Sequence, residues 1–296
     1  MQKVVQIIGV PIDLGQSNRG VDLGPGAIRY AGLSASLEKL GYKVRDLGNL
    51  PVPVRDSLCA ERESCYVPTI RQICEAAYQA GRRAVEEGAV PIFLGGDHSI
   101  SIGTIGGVTH HEPAGVFWID AHGDFNTVET SLSGNVHGMS LALLLGEGER
   151  SLVEVGRKES KLVATDVVMI GVRELDGEER RRLAESGMTV FTMRDVDALG
   201  MSAVASEALE KLKHRKRLHV SLDIDALDPL DSPGAGTLVP GGLTYREAHL
   251  LMEIIADTRR LCSLDIVEIN PILDEHNRTA QMAVDLAVSL FGKKIL

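Results

Sequence analysis

Six residues with metal-binding side chains lie at closely spaced positions in three short stretches of the chain. In an extended strand, side chains at alternating positions point to one face. Asp120, His122 and Asp124 are therefore expected to converge, and so are Asp223 and Asp225. Together with a histidine from the first stretch, they predict a site for two metal ions. The six residues are His98, Asp120, His122, Asp124, Asp223 and Asp225.

Two divalent cations would balance this ligand set, because four aspartates oppose them and two histidines bind as neutral imidazoles. Sharing Asp120 and Asp223 would keep the ions at the short separation that two-metal hydrolysis uses, and a hydroxide bridging them would form near neutral pH. Asp124 is placed to accept a hydrogen bond from that hydroxide. The resulting anionic cluster favours a cationic electrophile, and a guanidinium group fits that description.

The ligand types also restrict the metal. A carboxylate-rich set without thiolates suits manganese better than structural zinc, while cobalt, nickel, iron and catalytic zinc remain compatible.

Each ligand stretch follows an apolar run that is typical of a buried strand. The ligands are therefore expected at the carboxyl ends of strands, where open parallel α/β sheets bind their ligands. The three runs are Val90 to Leu94, Gly115 to Ile119 and Leu218 to Leu222.

Strand-like runs recur about eight times, and amphipathic helical stretches lie between most of them. This alternation predicts a single three-layer α/β domain over residues 1–296, in which an eight-stranded, mostly parallel sheet has helices on both faces. The segment 20–26 lacks the spacing of a dinucleotide-binding loop and predicts a turn that leads into a helix over 27–40. The runs lie near 4–10, 43–47, 90–94, 115–120, 166–172, 188–192, 217–222 and 263–269.

The composition is that of an ordinary soluble globular chain, with 296 residues, 44% hydrophobic and 24% charged. The formal net charge of −10 disfavours binding to nucleic acid or to an anionic membrane. The basic run 211–217 is interpreted as the solvated end of a helix. The apolar run 4–10 is too short for a membrane span and lacks a signal-peptide pattern, which favours a cytoplasmic location.

The four cysteines form no CxxC pair and lie far from the ligand stretches in the sequence. They are expected to be reduced, structural thiols. They are Cys59, Cys65, Cys74 and Cys262.

Four motifs resemble those of the ureohydrolases and follow one another in the same order along the chain. Within that family the arginases are the closest match. The resemblance extends over nearly the whole chain, from Gly9-Val10-Pro11 to Val267-Glu268-Ile269-Asn270-Pro271. It implies the arginase fold, a dimanganese cluster and hydrolysis of L-arginine to L-ornithine and urea. It also implies a homo-oligomer, since bacterial arginases are commonly hexamers. The motifs are Gly-Gly-Asp-His-Ser at 95–99, Asp-Ala-His-Gly-Asp-Phe-Asn at 120–126, Ser-Gly-Asn-Val-His-Gly at 133–138 and Ser-Leu-Asp-Ile-Asp-Ala-Leu-Asp-Pro at 221–229.

The resemblance further implies roles for individual residues. Glu268 would pair with the guanidinium and hold its carbon over the hydroxide. His137 would be the general acid that gives a proton to the leaving ornithine amine. One ion would be held by His98, Asp120, Asp124 and Asp223, and the other by Asp120, His122, Asp223 and Asp225.

The tail of the substrate, which is the amino-acid end that carries the α-carboxylate and the α-amino group, is expected to contact a second set of residues. Asn126, Ser133 and Asn135 match arginase positions that receive the α-carboxylate, to which neutral donors are suited. Asp176 matches the position facing the α-amino group, and it is also a candidate N-cap for a helix that begins near Gly177. Thr237 matches a threonine of the substrate pocket.

Two other functions remain open. A related ureohydrolase acting on agmatine or another guanidino compound would share the metal chemistry, but agmatine lacks the carboxylate that the loop after Asp124 would bind. A non-catalytic metal-binding protein with the same fold is disfavoured by the complete ligand set together with His137 and Glu268. The leading prediction is therefore a manganese-dependent arginase of arginine catabolism.

Overall fold

The computed structural model describes residues 3–58 and 66–294, and within them the chain forms one eight-stranded sheet. All seven strand pairings are parallel, so the prediction of a mostly parallel sheet is confirmed. The strands are β1 (Val4–Val10), β2 (Lys43–Asn49), β3 (Val90–Gly95), β4 (Gly115–Ile119), β5 (Val167–Val172), β6 (Thr189–Thr192), β7 (Leu218–Asp223) and β8 (Leu261–Val267).

The spatial order of the strands is β2-β1-β3-β8-β7-β4-β5-β6. The central strands are buried along most of their length, as continuous apolar runs in a parallel sheet require. The edge strand β2 is largely exposed, in keeping with its more polar sequence. The order is not the order of the chain, because the last strand, β8, is inserted between β3 and β7.

Within the described residues there are eleven α-helices, ten of them between strands and the last, α11, after β8. Helices α8 and α10 begin with capping boxes, in which the side chains of Thr192 and Thr244 each bond the backbone N–H three residues later. The helices are α1 (Gly24–Tyr30), α2 (Leu33–Lys39), α3 (Val67–Glu86), α4 (Ser101–Val108), α5 (Ser140–Leu144), α6 (Arg150–Val153), α7 (Gly177–Glu185), α8 (Met193–Leu199), α9 (Met201–Lys211), α10 (Tyr245–Asp257) and α11 (Arg278–Leu290).

The helices cover both faces of the sheet, which confirms the predicted three layers. Alternating residues of β4 show the division. Phe117 and Ile119 pack in one core with helices α1, α2 and α8–α11, whereas Val116 and Trp118 pack in another with α4, α5 and α7. A third apolar cluster joins α3 to the second face at β1 and β3.

The single helix predicted over 27–40 is wrong, because the segment forms two helices. Helix α1 ends at Tyr30, and Gly32 adopts a left-handed backbone with φ +87° before α2 begins at Leu33. Left-handed backbone has little cost for glycine and interrupts the regular hydrogen-bonding pattern. The prediction of a turn before this segment is confirmed by a short 3₁₀ helix at Val21–Leu23.

The basic run follows the end of α9 at Lys211, as predicted, but it is only partly a solvated surface. His214 and Arg215 both bond the buried carboxylate of Asp166, at 2.8 and 2.7 Å. Among the cysteines, Cys74 and Cys262 are free thiols, whereas the prediction for Cys59 and Cys65 falls outside the described residues.

Across residues 3–58 and 66–294, the structure contains no helix with both the length and the apolar character needed to span a membrane.

Candidate metal centre and active site

Four adjacent central strands deliver the predicted functional residues to one edge of the sheet. In the order β3-β8-β7-β4, the ends of these strands and the segments that follow them carry His98, Glu268, the aspartates at 223 and 225, and the 120–124 loop. All four strands are parallel, so their carboxyl ends meet at this edge. The prediction that the ligands lie at strand ends is confirmed.

The expected geometry of the ligand stretches is wrong, because the ligands converge through turns and not along an extended strand. Strand β4 ends at Ile119, before the first ligand of its stretch, and Asp124 has a left-handed backbone with φ +47°. His98 and Asp225 lie on short 3₁₀ helices, and only Asp223 ends a strand. A turn brings closely spaced residues together without the alternation of a strand.

His98 lies at the centre of the first ligand group. Its Nδ1 is 3.2 Å from Asp120 Oδ2, 3.0 Å from Asp124 Oδ2 and 3.2 Å from Asp223 Oδ2. This nitrogen is fully buried and makes no well-aligned hydrogen bond with any of the three oxygens. A buried ring nitrogen that faces three carboxylate oxygens is the arrangement that a shared cation would satisfy.

The second ligand group lies on the other side of Asp120. His122 Nδ1 is 3.1 Å from Asp225 Oδ2 and 3.5 Å from Asp120 Oδ1. In each group the ligand atoms lie within 4.8 Å of one another, and Asp120 belongs to both. The two carboxylate oxygens of Asp120 face different histidines, so this residue can bridge two ions. The groups are His98, Asp120 and Asp223, and Asp120, His122 and Asp225.

The electrostatics of these residues fit divalent cations. Burial raises the pKa of Asp124 to about 6 and the pKa of Asp223 well above its ordinary value, and the charge of neighbouring carboxylates adds to both shifts. Asp120 differs, because the two histidines overcome the effect of burial and hold its pKa well below its usual range. Two bound cations would remove the repulsion among these carboxylates.

Two residues that the sequence interpretation did not assign support the ligands. Ser221 Oγ lies 2.8 Å from His98 Nε2, so it can fix the ring with Nδ1 facing the carboxylates. The indole of Trp118 stacks on the His98 ring at 4.1 Å and donates from Nε1 to Asp120 Oδ2 at 2.9 Å. Ser221 alternates with Asp223 along β7, which is a signal readable from the sequence. The role of Trp118 is not readable there.

Glu268 and His137 meet beside the ligand groups, as predicted. Glu268 Oε1 accepts the backbone N–H of His98 and lies 2.9 Å from His137 Nδ1. Its other oxygen accepts a hydrogen bond from Gln16 Nε2 at 2.7 Å, a contact that no sequence pattern indicated. Glu268 follows the end of β8 with a left-handed backbone, φ +65°, and is buried.

The charges of this pair favour an ionised acid beside a protonated base. Burial disfavours the imidazolium of His137, but the Glu268 carboxylate overcomes this effect and raises the pKa of His137 to about 9. Burial likewise opposes the charge of Glu268, but His137 and the His98 N–H lower its pKa below the ordinary value. At neutral pH the site therefore offers a carboxylate and a proton donor side by side.

The loop before His98 depends on a close approach of two backbones. A Cβ atom at Gly96 would lie 1.8 Å from the carbonyl oxygen of Ile12, so only glycine fits. The N–H of the next residue, Asp97, donates to that same carbonyl at 2.8 Å. This contact places the His98 turn against the segment that carries Gln16.

The structure brings together two of the residues predicted to contact the substrate tail, Asn126 and Asp176. Asn126 Nδ2 donates to Asp176 Oδ2 at 2.9 Å, which places an amide beside a carboxylate. Asp176 also caps α7 by accepting the N–H of Glu179, so the predicted N-cap is confirmed. Glu179 in turn accepts the N–H of Phe125 at 2.9 Å, and burial raises its pKa to about 7. The sequence interpretation did not include Glu179.

The other predicted tail contacts lie at the rim. Ser133 is exposed, and its hydroxyl accepts the N–H of Asn135 at 3.2 Å. Asn135 Oδ1 accepts a hydrogen bond from Ser17 at 3.1 Å. Thr237 is half-buried and follows Gly236, whose N–H donates to the carbonyl of Glu268. The contacts from Ser17 to Asn135 and from Gly236 to Glu268 join separate loops and place the rim near the Glu268 side of the site.

Chelation is expected to lower the thermal stability of the protein as well as its activity. An ion present at about 1,000 times its Kd stabilises the folded state by about 4 kcal/mol, which corresponds to a fall in Tm of roughly 8 °C when it is removed from a domain of this size. Thermal unfolding of manganese-loaded and EDTA-stripped protein measures the change. Equal Tm values would contradict a metal centre in this cluster.

Strand-end aspartates and histidines on an open parallel α/β sheet, beside a paired acid and base, define the class of metal-dependent hydrolases. The Arginase family model matches residues 3–292 of the chain. The chain is 49% identical to the arginase of Bacillus caldovelox, over 99% of this chain and 100% of that one. It is 48% identical to the arginase of Bacillus subtilis strain 168 over the full length of both.

A solved structure agrees with these relatives. The crystal structure of arginase from Bacillus cereus matches with a TM-score of 0.94 and 47% identity, over 100% of both chains. The chain therefore belongs to the arginase family, and the ureohydrolase resemblance predicted from the motifs is confirmed.

Proposed function

We propose that this protein is a manganese-dependent arginase, which hydrolyses L-arginine to L-ornithine and urea. The observation that carries the proposal is the convergence of two candidate ligand groups, which share Asp120, with Glu268 and His137 at one sheet edge, in a chain similar over its full length to bacterial arginases. Two divalent ions bound there would supply the Lewis acidity that makes water nucleophilic near neutral pH.

Glu268 has the position and charge to bind the guanidinium of the substrate. Its carboxylate is held by the N–H of His98 and by Gln16, and its depressed pKa keeps it ionised. An ionised carboxylate makes strong, directional hydrogen bonds to a guanidinium, which orients the central carbon for attack. Asp124, whose carboxylate faces His98 at 3.0 Å, can accept a hydrogen bond from the attacking water.

His137 has the protonation state needed for departure of the amine. After water adds to the guanidinium carbon, the bond from that carbon to the Nε of arginine breaks, and this nitrogen takes a proton to become the ornithine amine. With a pKa of about 9, His137 carries that proton at neutral pH.

The tail contacts favour an amino acid over a decarboxylated guanidino compound. Asn126 and Asp176, joined at 2.9 Å, offer a neutral donor for an α-carboxylate beside an acceptor for an α-ammonium group. Ser133, Asn135 and Thr237 complete the proposed tail site. Agmatine has no carboxylate that could accept hydrogen bonds from these neutral donors.

Urea release from L-arginine and from agmatine, by stripped protein reloaded with manganese, tests this proposal. Wild-type protein is expected to prefer arginine. Asn126→Ala should lower kcat/KM for arginine by roughly 10- to 100-fold, the effect of losing a hydrogen bond to a charged group, while changing agmatine turnover much less. Asn49→Ala, on edge strand β2, is the matched control.

The outcomes of that experiment separate the competing functions. Preference for agmatine would retain the metal chemistry and overturn the tail assignment. Absence of urea from both substrates would favour a non-catalytic metal-binding protein. Reloading in parallel with cobalt or nickel tests the choice of manganese.

A homohexamer stays a prediction from the family resemblance, and a cytoplasmic location stays a prediction from the lack of a targeting pattern in the sequence. Light scattering of the full chain would measure the oligomeric state.

A further inference from the structure

Arg173 has no role in the proposed mechanism, yet it joins three of the segments around the metal centre. It follows β5, and its backbone N–H donates to the carbonyl of Ala121 at 2.8 Å, next to His122. Its side chain crosses to the far side of β4 and reaches the turn after β7. The residue thus bridges the two ligand-bearing loops of the second group.

The guanidinium of Arg173 directs its hydrogen bonds to backbone carbonyls. Among the described residues, no ion pair links it to a carboxylate, although guanidinium groups bind carboxylates strongly. The planar group instead spreads its five N–H donors over the ends of three segments. The acceptors are the carbonyls of Gly171, Asp225, Ala226, Leu227, Val239 and Pro240.

The carbonyls at 225–227 belong to the turn that carries one metal ligand. Asp225 lies on the 3₁₀ helix Ile224–Ala226, whose last carbonyls have few partners within so short a helix. Arg173 Nη2 donates to the Asp225 carbonyl at 2.8 Å, while the Asp225 carboxylate accepts the N–H of Ala121 at 3.2 Å. Arg173 therefore fixes the backbone from which this carboxylate reaches His122.

The two ligand groups depend on this turn to different degrees. Asp225 belongs only to the group with Asp120 and His122. In the other group, Asp223 is the last residue of β7 and is held by pairing with β8, and His98 is held by Ser221. Loss of the Arg173 contacts should therefore loosen the group that contains Asp225 more than the group that contains Asp223.

We infer that Arg173 is a positioning residue that sets the Asp225 turn against the Asp120 loop, so that the ion held by Asp120, His122 and Asp225 depends on it. The ion held by His98, Asp120 and Asp223 does not. The positive charge of Arg173 also interacts favourably with Asp225, Asp120 and Asp223 and so reduces the repulsion among these carboxylates. The inference rests on the two-ion site of the proposed function.

Titration of metal-stripped full-length protein with manganese chloride, followed by calorimetry, tests this assignment. Wild-type protein should bind two ions per subunit. Arg173→Met should keep one ion near wild-type affinity and weaken the second by at least about 10-fold, as loss of a group that supports a ligand does. The spin-coupled electron paramagnetic resonance signal of paired manganese should fall in parallel, a readout that general destabilisation does not produce.

Two further variants make the result decisive. Arg157→Met is the matched control, because Arg157 is also half-buried and also donates to carbonyls, those of Thr109 and Lys161, in another part of the protein. It should bind two ions normally even if it is less stable. Arg173→Lys keeps the charge without the planar fork, so it should also weaken the second ion, and it replaces Arg173→Met if that variant does not fold.

Either of two results would overturn the assignment: wild-type affinity for both ions in the Arg173 variants, or equal weakening of both. A wild-type protein that binds fewer than two ions would instead contradict the proposed metal site itself, so the two failures are distinguishable.

Discussion

Asp120→Asn is expected to reduce arginine hydrolysis by at least roughly 10³-fold and to leave fewer than two ions per subunit. Asp120 is the one residue common to both ligand groups, and its two oxygens face His98 and His122. Asparagine has nearly the same shape but no charge and only one oxygen, so it cannot bridge. Metal-ion catalysis lowers the activation barrier by several kcal/mol, and each 1.36 kcal/mol is a factor of ten in rate.

The measurement combines urea release with elemental analysis of manganese per subunit. Asp166→Asn serves as the control, since Asp166 is equally buried but bonds His214 and Arg215 away from the centre. That variant is expected to lose stability and to keep both ions. Full manganese occupancy in Asp120→Asn would show that the carboxylate does not bridge, and the two-group assignment would be wrong.

Glu268→Gln is expected to lower kcat/KM for L-arginine by roughly 10² to 10³-fold while both ions stay bound. Glu268 contacts the ligand groups only through the backbone N–H of His98, so its charge is available to the guanidinium. Removing one partner of a buried, hydrogen-bonded charge pair costs about 2–5 kcal/mol. Glutamine keeps the shape, and its amide oxygen can still accept the His98 N–H, whereas its amide nitrogen cannot accept the hydrogen bond from Gln16. The substitution therefore removes the charge and one acceptor.

Steady-state kinetics with metal analysis tests this separation of roles. Glu247→Gln is the control, because Glu247 belongs to the exposed capping box of α10. Loss of manganese from Glu268→Gln would mean that the carboxylate supports the metal centre, and an unchanged kcat/KM would remove Glu268 from substrate binding.

The same substitution should change the titration of His137. With Glu268 replaced, burial continues to disfavour the imidazolium and the opposing carboxylate is gone, so the pKa of His137 should fall from about 9. A histidine with a raised pKa stabilises the folded protein fully below its unfolded value, near 6.5, and that contribution is lost as pH rises through about 9. His98 and His122 also have raised pKa values in the metal-free protein, so both proteins should lose stability as pH rises. Metal-free wild-type protein should lose more stability across that window than metal-free Glu268→Gln, and the difference is the contribution of His137.

The positions of the strands and of the metal ligands could be predicted from the sequence because both depend on local patterns. Apolar runs such as Val90 to Leu94 and Leu218 to Leu222 form buried strands wherever they lie in a parallel sheet. Closely spaced aspartates and histidines after such runs indicate metal binding whatever the backbone geometry. That is why the predicted ligand residues lie close together in the structure although the extended-strand reason for their convergence was wrong.

Local sequence patterns did not predict the positions at which the backbone adopts a left-handed conformation. Asp124 and Glu268 both adopt left-handed conformations, which non-glycine side chains rarely take unless surrounding contacts hold them. Neither residue type by itself predicts a left-handed conformation at these positions. The break between α1 and α2 has the same origin, since Gly32 within an apolar, helix-like stretch also fits a continuous helix.

The sequence by itself determined which residues are the candidates for the chemistry and that they lie at or after the ends of strands. Only the tertiary structure decided that β8 lies between β3 and β7, so that Glu268 and His98 become neighbours although they are 170 residues apart in the chain. It alone brought Gln16 to Glu268, Trp118 to His98 and Arg173 to the Asp225 turn. The physical reason is that strand order is set by how the helices pack over the whole sheet, which no short stretch of sequence encodes.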